Sequence, residues 1–224
     1  MFDWNYNRNL IKNPEIEKFI KYFAKEDKWH HQDKKRGGLG YGWIHYSLIR
    51  LLNPKNVLCV GSKWGFIPAV CALACRDNGK GMVDFVDAGY DIKDYGGVAG
   101  EHWGGEGFWK KCNAKKYFGK FGLEKNISLQ VMKSKEYADK NKNKKYGYVH
   151  IDGDHSYLGV KLDFDLFWPR VETGGFLAIH DVFSPDRDGN VYGTRKFWEE
   201  IIKSGKYKLI EIKEDPGVGI IQKS

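Results

Sequence analysis

The strand–helix–strand pattern that decides the fold lies at residues 147–182, GYVHIDGDHSYLGVKLDFDLFWPRVETGGFLAIHDV. Apolar residues dominate its two ends, 147–152 and 175–181, which have the length of buried strands. Between them, 157–170 repeats apolar residues at the three- and four-residue spacing of a helix. Two strands joined through a helix pair in parallel by a right-handed crossover. The stretch therefore predicts one unit of a parallel α/β sheet.

The same alternation extends over the rest of the chain. Short apolar stretches predict further strands at 56–60, 82–87, 127–132, 206–213 and 217–223. Helical patterns are found at 14–26, 42–52, 66–77, 107–121, 134–141 and 194–204. The turn EDPG joins the last two strands, so these should pair as an antiparallel hairpin. The predicted fold class is α/β, a doubly wound, mostly parallel seven-stranded sheet with a C-terminal antiparallel hairpin.

Composition agrees with a soluble globular protein. The chain has 224 residues and is 42% hydrophobic and 15% aromatic, which is too apolar for a disordered chain. This length is sufficient to bury a sizeable core. The longest apolar runs are too short to span a membrane, and the N-terminus shows no signal-peptide pattern. We therefore expect a cytoplasmic protein with no membrane partner.

The charge distribution argues against a nucleic-acid site, and the cysteine spacing argues against a cysteine-based zinc site. The net charge is +8, but residues 151–224 carry 10 basic and 13 acidic side chains. The basic excess is mostly lysine scattered over helices and loops without a nucleic-acid motif, so a nucleic-acid partner is not expected. The cysteines lack the CxxC spacing of zinc sites and are expected to be reduced core residues, namely Cys59, Cys71, Cys75 and Cys112.

A glycine turn follows the first predicted strand, in VLCVGSKWG at 57–65. Gly61 and Gly65 permit a tight strand-to-helix turn and close approach of a cofactor to the backbone. The second strand ends at Asp87, about where an acidic residue binds ribose hydroxyls in nucleotide-binding folds. The spacing is not GxGxxG, and a plain tight turn explains two glycines equally well.

Acidic and histidine side chains follow the two strands of the 147–182 stretch. Asp152, Asp154 and His155 come after the first strand, and His180 and Asp181 end the second. Adjacent strand ends lie about 5 Å apart, so these groups can converge on one ion. Oxygen ligands favour Mg²⁺ or Mn²⁺, and the histidines leave Fe²⁺ or Zn²⁺ open. Helix capping by residues such as Asp154 is the alternative, but it does not account for both acid and imidazole pairs.

Taken together, these features resemble the class I S-adenosylmethionine-dependent methyltransferases. The resemblance spans about residues 40–223 and rests on VLCVGSKWG, Asp87, the 147–182 stretch, GTRKFWEEI and the closing PGVGIIQK. Within that superfamily the chain is similar to the small-molecule O-methyltransferase branch that includes macrolide-sugar and cephalosporin-biosynthesis enzymes. The resemblance implies a Rossmann-like methyltransferase domain at 41–224, preceded by an N-terminal helical arm or cap at 1–40.

The resemblance also implies the ligands. The cofactor would be S-adenosyl-L-methionine, assisted by a divalent metal, with Mg²⁺ first and Mn²⁺, Fe²⁺ or Zn²⁺ as alternatives. The methyl acceptor would be a hydroxyl of a small molecule, such as a sugar or a natural product. In relatives an acid two positions before the first glycine binds the cofactor amine, and here that position is Cys59. Either another group binds the amine, or the cofactor is bound more weakly than in these relatives.

Individual roles carry over onto matching positions. The glycine turn would contact the methionine part of the cofactor, Asp87 the ribose and Ser134 the adenine. The full cofactor-binding set is Gly61, Ser62, Trp64, Gly65, Asp87 and Ser134. The implied metal ligands are Asp152, His180 and Asp181. His155 is expected to be the general base, and together with Asp152 it forms the expected catalytic pair.

Two segments are assigned by composition. Residues 88–105, AGYDIKDYGGVAGEHWGG, are long for a connection and are expected to cover the substrate, with Tyr95, His102 and Trp103 as a stacking surface. A disordered surface loop is the alternative. His30 and His31 are expected to be ordinary surface or interface residues, and the alternative is that their segment, WHHQDKKRGGLGYGW at 29–43, folds over the same cleft.

Two other function classes stay open. The sheet and Asp87 would also suit a nicotinamide-dependent oxidoreductase, and the lysine excess allows a non-catalytic metal- or nucleic-acid-binding module. A homo-oligomer is also left open.

Overall fold

The computed structural model describes residues 14–35, 37–90, 107–184 and 193–224. The strands are β1 (Asn56–Val60), β2 (Met82–Asp87), β3 (Ile127–Val131), β4 (Tyr146–Ile151), β5 (Val171–His180), β6 (Lys208–Ile212) and β7 (Val218–Gln222). Within the described residues they form one sheet in the order β3-β2-β1-β4-β5-β7-β6. β1 to β5 run parallel, and β7 lies antiparallel between β5 and β6. The predicted sheet and its C-terminal hairpin are confirmed.

Helices cover both faces of the sheet. They are α1 (Pro14–Phe23), α2 (Gly42–Leu52), α3 (Phe66–Asp77), α4 (Phe108–Lys111), α5 (Ala114–Gly119), α6 (Ser134–Lys140), α7 (Tyr157–Phe167) and α8 (Gly193–Ser204). No helix formed by the described residues is long and apolar enough to cross a bilayer.

The predicted helix at 107–121 is wrong in one respect, because it consists of two short helices. Cys112, between α4 and α5, has an extended backbone. The side chain of Asn113 accepts a hydrogen bond from the backbone N–H of Lys116 and so caps the start of α5. An Asn that satisfies a free N–H in this way favours a new helix start over a continuous helix.

The region between α7 and β5 also differs from the prediction. The helix expected to reach 170 ends at Phe167, and residues 168–170 form a single 3₁₀ turn containing Pro169. Proline has no backbone N–H to continue an α-helix. β5 begins at Val171 rather than at 175, since its first residues pair with β4 across a register shift.

Two apolar layers hold the sheet in place. β1 alternates between them, with Val57 and Cys59 on one face and Leu58 and Val60 on the other. The first layer is formed by α1 to α5 and is rich in buried rings, including Phe23, Phe66, Trp109 and Phe118. The second is formed by α6 to α8 and includes Phe164, Phe167 and Trp198. All four cysteines are free, as expected.

The N-terminal residues belong to the first layer. Phe19, Ile20 and Phe23 of α1 and Leu39 beyond it are buried in the same core as α3. The chain between them carries Trp29 and His30 to the carboxyl ends of the parallel strands. The described part of the predicted N-terminal arm, 1–40, therefore packs into the core of the sheet domain. The boundary between an arm at 1–40 and a domain at 41–224 stays a prediction.

The topology identifies where a ligand can bind. From β1 the sheet grows in one direction through β2 and β3 and in the other through β4 and β5. Such a switch point opens a crevice outside the carboxyl ends of the strands. The predicted site residues follow β1, β2, β3, β4 and β5, so they all belong to this one edge.

Candidate active site

A cleft of about 600 Å³ lies at the carboxyl ends of the parallel strands. It is lined from one end to the other by loops that follow β1, β2, β3, β4 and β5, and by the N-terminal segment. The predicted site residues that line it are Gly61, Ser62, Asp87, Ser134, Asp152, His155, His180 and Asp181. The structure therefore brings together most of the residues that the sequence singled out.

Gly61 is required by the meeting of two loops. Its φ of 73° lies in the left-handed region, and a Cβ here would lie 2.5 Å from the Cα of Gly153 and closer still to the carbonyl of Asp152. Any side chain would push the β1 loop away from the β4 loop. The glycine therefore keeps the loop after β1 in contact with the loop after β4, which carries Asp152.

Asp87 is oriented by the backbone of two loops. Its carboxylate accepts hydrogen bonds from Ser62 N at 3.2 Å and from Gly89 N at 2.7 Å. Burial raises the pKa of Asp87 to about 6, although both backbone hydrogen bonds oppose the rise. A carboxylate fixed in this way, with lone pairs directed into the cleft, suits a pair of vicinal hydroxyls.

Two residues of the predicted cofactor set pack elsewhere. The ring of Trp64 contacts Phe108 and lies under Lys25, whose Nζ is 3.9 Å from the ring centroid. A Cβ on Gly65, whose φ is 80°, would lie 2.9 Å from the Trp109 ring. Neither residue is among the described residues that line the cleft. Their direct contact with a cofactor stays a prediction, and their packing supports the turn that carries Ser62.

Ser134 has a buried acidic neighbour that the sequence analysis missed. Asp163 of α7 is 4% exposed, lines the cleft, and hydrogen-bonds with Ser134. Burial raises the pKa of Asp163 to about 7, and the bond to Ser134 opposes that rise. A signal was present, because Asp163 lies on the same helix face as the buried Val160 and Phe167. An acid on an apolar helix face is unusual and indicates a specific partner.

Four charged groups meet at the ends of β4 and β5, and we call them the Asp–His cluster: Asp152, His155, His180 and Asp181. His155 Nε2 lies 3.3 Å from Asp152 Oδ1 and 3.3 Å from Asp181 Oδ2. His180 Nδ1 lies 3.5 Å and 3.1 Å from the same two oxygens. Both imidazoles therefore face both carboxylates, as the convergence of strand ends predicts.

Local backbone geometry positions Asp181. Its φ of 62° is left-handed, a conformation that short acidic side chains tolerate better than most. Ser184 Oγ donates to Asp181 Oδ1 at 3.0 Å, and Thr194 Oγ1 donates to the Asp181 carbonyl at 2.8 Å. These two bonds hold the strained residue with its other carboxylate oxygen turned toward the histidines.

The pKa shifts in the Asp–His cluster are caused mainly by burial and by the charges of its own four members. Burial alone would raise the pKa of Asp152, but the His180 and His155 imidazoles outweigh it and hold this pKa well below its ordinary value. The pKa of Asp181 is lowered against burial in the same way. Burial would lower the pKa of both histidines, and the two carboxylates raise it instead. The cluster thus stabilises positive charge between its carboxylates.

The donor set fits a divalent cation. Asp152, His155 and Asp181 each place one ligand atom within 4.8 Å of the others. His180 Nδ1 faces the same carboxylates, is buried, and has no hydrogen-bond partner. A buried nitrogen without a partner, next to two carboxylates, is suited to ligate an ion.

The expectation for His30 is wrong. Its side chain is buried rather than on the surface, with 3% of the residue exposed. Its ring lies 4.4 Å from the ring of His180, and its Nε2 is 4.0 Å from Asp152 Oδ2. His31 is exposed, as expected. The position of His30 depends on how residues 24–41 cross the sheet edge, which no local pattern reveals.

A second pair of buried histidines lies beside the Asp–His cluster. His150 of β4 and His45 of α2 are fully buried with ring centroids 4.7 Å apart. Burial lowers the pKa of His150 to about 3, so its imidazole is neutral. A sequence signal existed here too, since Tyr148, His150 and Asp152 alternate along one face of β4 and its extension.

The predicted substrate-covering loop at 88–105 falls largely outside the described residues. Of this segment only residues 88–90 are described, and Tyr90 lines the cleft. The expected stacking residues Tyr95, His102 and Trp103 lie outside the described part of the chain.

Comparisons with known proteins agree with this geometry. Residues 58–182 match the family described as Methyltransferase domain, which is more than half of the chain. No curated protein matches the sequence.

Solved structures share the fold over nearly the whole chain. A proposed caffeoyl-CoA O-methyltransferase from Staphylococcus aureus is 18% identical, with a TM-score of 0.67 and 98% of each chain covered. The O-methyltransferase from Bacillus cereus, in complex with SAH, is 14% identical, with a TM-score of 0.64 and coverage of 98% of this chain and 96% of that one. TomG from Streptomyces achromogenes, involved in tomaymycin synthesis and in complex with SAM, is 14% identical, with a TM-score of 0.64 and coverage of 99% and 96%.

These findings select among the function classes that the sequence left open. A methyltransferase family match over the glycine turn and the Asp–His cluster argues against a nicotinamide-dependent oxidoreductase and against a non-catalytic binding module. The chain belongs to the methyltransferase domain family and has the class I S-adenosylmethionine-dependent methyltransferase fold.

Proposed function

We propose that this protein transfers the methyl group of S-adenosylmethionine to a hydroxyl of a small molecule, assisted by a divalent metal ion. The observation that carries the proposal is the placement of the Asp–His cluster in the same cleft as Asp87 and the Gly61 turn. One end of the cleft has the groups that suit a nucleoside, and the other has the groups that suit proton removal.

The end of the cleft proposed to bind the nucleoside is formed by the backbone of the loop after β1 and by acidic side chains. Gly61 and Ser62 leave the β1 turn open to a ligand, and Asp87 accepts from hydroxyl donors. Ser134 and Asp163 lie further along the same lining, where an adenine edge offers both a donor and an acceptor. S-adenosylmethionine, when bound, supplies a methyl group on a sulfonium. With the nucleoside held by these residues, positioning of the methyl group relative to the acceptor supplies much of the rate acceleration.

His155 is assigned as the proton acceptor. It is 7% exposed, lines the cleft, and its Nε2 donates to the Asp152 carboxylate at 3.3 Å. The carboxylates of Asp152 and Asp181 stabilise the imidazolium that forms when His155 takes a proton. Asp152 thereby supports the base in addition to orienting it, as a carboxylate does for a catalytic histidine in other enzymes.

Asp152, His180 and Asp181 are assigned as the metal-binding residues. His180 Nδ1 lies 3.5 Å from Asp152 Oδ1 and 3.1 Å from Asp181 Oδ2, and the ligand atoms of these two carboxylates lie within 4.8 Å of each other. A divalent ion, when bound, supplies Lewis acidity that lowers the pKa of an acceptor hydroxyl. The two carboxylates favour binding of a cation, because they repel each other unless a cation or a proton lies between them.

The acceptor class follows from the size and chemistry of the cleft. A volume of about 600 Å³ must hold the nucleoside as well as the acceptor, which leaves room for a small molecule only. Carboxylates and a base suit a neutral hydroxyl better than an anionic acceptor, because an anion would be repelled. The solved O-methyltransferases with this fold support oxygen as the acceptor atom.

A panel assay tests the proposal. Purified protein is incubated with S-adenosylmethionine, Mg²⁺ or Mn²⁺, and a panel of sugars, catechols and natural-product alcohols, with matched amines as controls. We expect a product heavier by one methylene group from a hydroxyl compound, with S-adenosylhomocysteine formed in equal amount. Methylation of the amines alone, or failure to bind S-adenosylmethionine in calorimetry, would contradict it.

A further inference from the structure

His180 is held by a hydrogen bond that fixes its tautomer. Its Nε2 lies 3.2 Å from the backbone carbonyl of Trp29. A carbonyl only accepts, so Nε2 must carry the hydrogen and donate it. In a neutral imidazole the lone pair is then on Nδ1. The ring of His30 packs against that of His180, with the two ring centroids 4.4 Å apart.

The Nδ1 atom faces two carboxylates without bonding to either. It lies 3.1 Å from Asp181 Oδ2 and 3.5 Å from Asp152 Oδ1, in a residue that is 2% exposed. Neither contact has hydrogen-bond geometry, and Nδ1 is a buried nitrogen without a partner. A lone pair directed toward two anionic groups is unfavourable, so a proton or a metal cation must lie between Nδ1 and the carboxylates.

From this arrangement we infer that the Asp–His cluster selects a nitrogen-preferring first-row transition metal ion, of the Fe²⁺ or Zn²⁺ type, over Mg²⁺, with His180 Nδ1 as the deciding ligand. The inference rests on the metal-assisted half of the proposed function, and it replaces the order of metals, with Mg²⁺ first, that the family resemblance implies. Imidazole suits Fe²⁺, Zn²⁺ and Co²⁺, whereas Mg²⁺ takes oxygen ligands.

The environment of His180 has the second feature expected of a metal ligand. A ligating histidine usually donates its other ring N–H to a backbone carbonyl or carboxylate, which fixes the ring and raises its basicity. The Trp29 carbonyl has this role here. Trp29 belongs to the N-terminal segment, so that segment both lines the cleft and orients the His180 ring.

Metal binding can be measured without turnover. The whole protein is stripped of metal with a chelator and titrated with Co²⁺, followed by its visible absorption and by calorimetry, and Mg²⁺ is added in competition. We expect Co²⁺ to bind at least about 100-fold more tightly than Mg²⁺. In proton NMR of the Co²⁺ form, we expect a strongly shifted, slowly exchanging N–H signal from His180 Nε2.

Two variants locate the deciding ligand. His180→Ala should remove the shifted N–H signal and weaken Co²⁺ binding. Loss of a residue that only hydrogen-bonds to a metal ligand costs roughly 10- to 100-fold in affinity, and we expect loss of the ligand itself to cost more. The variant's binding of Mg²⁺ should change much less. His45→Gln is the matched control, since His45 is an equally buried imidazole whose ring bonds to Tyr148. It should leave both metal affinities unchanged.

Each outcome decides the matter. Equal affinity for Co²⁺ and Mg²⁺, or unchanged Co²⁺ binding in a folded His180→Ala protein, overturns the inference and makes His180 an imidazolium paired with the carboxylates. If His180→Ala does not fold, the affinity ratio and the N–H signal of the wild type decide. Separate titration with S-adenosylmethionine in chelator tests the proposed function, so the two failures are distinguishable.

Discussion

The two halves of the cleft solve the problem of buried charge in different ways. At the β1–β2 edge, Asp87 has backbone N–H groups bonded to both of its carboxylate oxygens. At the β4–β5 edge, Asp152 faces imidazoles, and His180 Nδ1 has no hydrogen-bond partner. The first edge balances its carboxylate with backbone N–H groups, whereas the second sets its carboxylates against imidazoles that are suited to hold a cation. Binding and chemistry are therefore expected to respond to different substitutions.

The largest effect is expected at Asp152, which touches both histidines of the Asp–His cluster. Asp152→Asn removes the charge that supports the base and one metal ligand, so turnover should fall by at least the 10²- to 10⁴-fold typical of losing general-base catalysis. Binding of S-adenosylmethionine should change little. Asp154→Asn is the control, because Asp154 also lines the cleft but is exposed, accepts from Ser156 N at 2.8 Å and is not a member of the Asp–His cluster. Equal losses in both variants would contradict the assignment.

His155→Ala comes next. It removes the proton acceptor and leaves Asp152, His180 and Asp181 in place, so kcat should fall about 10²- to 10⁴-fold. The KM for S-adenosylmethionine should stay within about twofold, since no cofactor contact is lost. Steady-state kinetics at saturating metal measures both values. A raised KM with unchanged kcat would make His155 a binding residue and not the base.

Asp87→Ala tests the other edge. Loss of a charged acceptor for ribose hydroxyls should cost about 1.5 to 3 kcal/mol, or roughly 10- to 100-fold in the Kd of S-adenosylmethionine. Because the pKa of Asp87 is raised to about 6, wild-type affinity should also weaken as pH falls below 6. Calorimetry at pH 5 and 7.5 measures both effects. An affinity that does not depend on pH in the wild type would show that the carboxylate does not contact the cofactor.

The smallest effect concerns stability and Asp163. Its pKa is raised to about 7 in the folded protein, against about 3.9 unfolded, so the folded state holds an extra proton between these values. The free energy of unfolding should therefore fall as pH rises from about 4 to 7. Asp163→Asn should remove this loss and stabilise the protein by on the order of 1 kcal/mol at pH 8.

Urea unfolding at pH 5 and pH 8 compares the wild type with Asp163→Asn. Asp165→Asn is the matched control, since Asp165 lies on the same helix but is exposed and pairs with Lys161 at 3.0 Å. If Asp163→Asn destabilises the protein at both pH values by the same amount, the buried acid is neutral throughout or its bond to Ser134 outweighs the charge.

The sequence predicted the sheet almost completely, because strands buried on both faces are continuous apolar stretches. Helix boundaries were predicted less accurately where a single residue determines where a helix starts, as Asn113 does by capping α5. The Asp–His cluster was predictable because its members follow strands that are neighbours in the sheet. His30 was not, since it reaches the cleft through tertiary packing of α1 and Leu39. Trp64 and Gly65 lie in the predicted turn, but they pack against Phe108 and Trp109, which are distant in sequence, so this packing was not predictable either.

A paired measurement on Asp87→Ala and Asp152→Asn tests the division of the cleft into a binding edge and a chemical edge. The Kd of S-adenosylmethionine and the single-turnover rate of S-adenosylhomocysteine formation with a hydroxyl acceptor are measured for both variants and the wild type. We predict that Asp87→Ala raises the Kd and leaves the rate at saturation nearly unchanged, whereas Asp152→Asn lowers the rate and leaves the Kd unchanged. If both variants raise the Kd and neither lowers the saturated rate, the Asp–His cluster is not the site of methyl transfer.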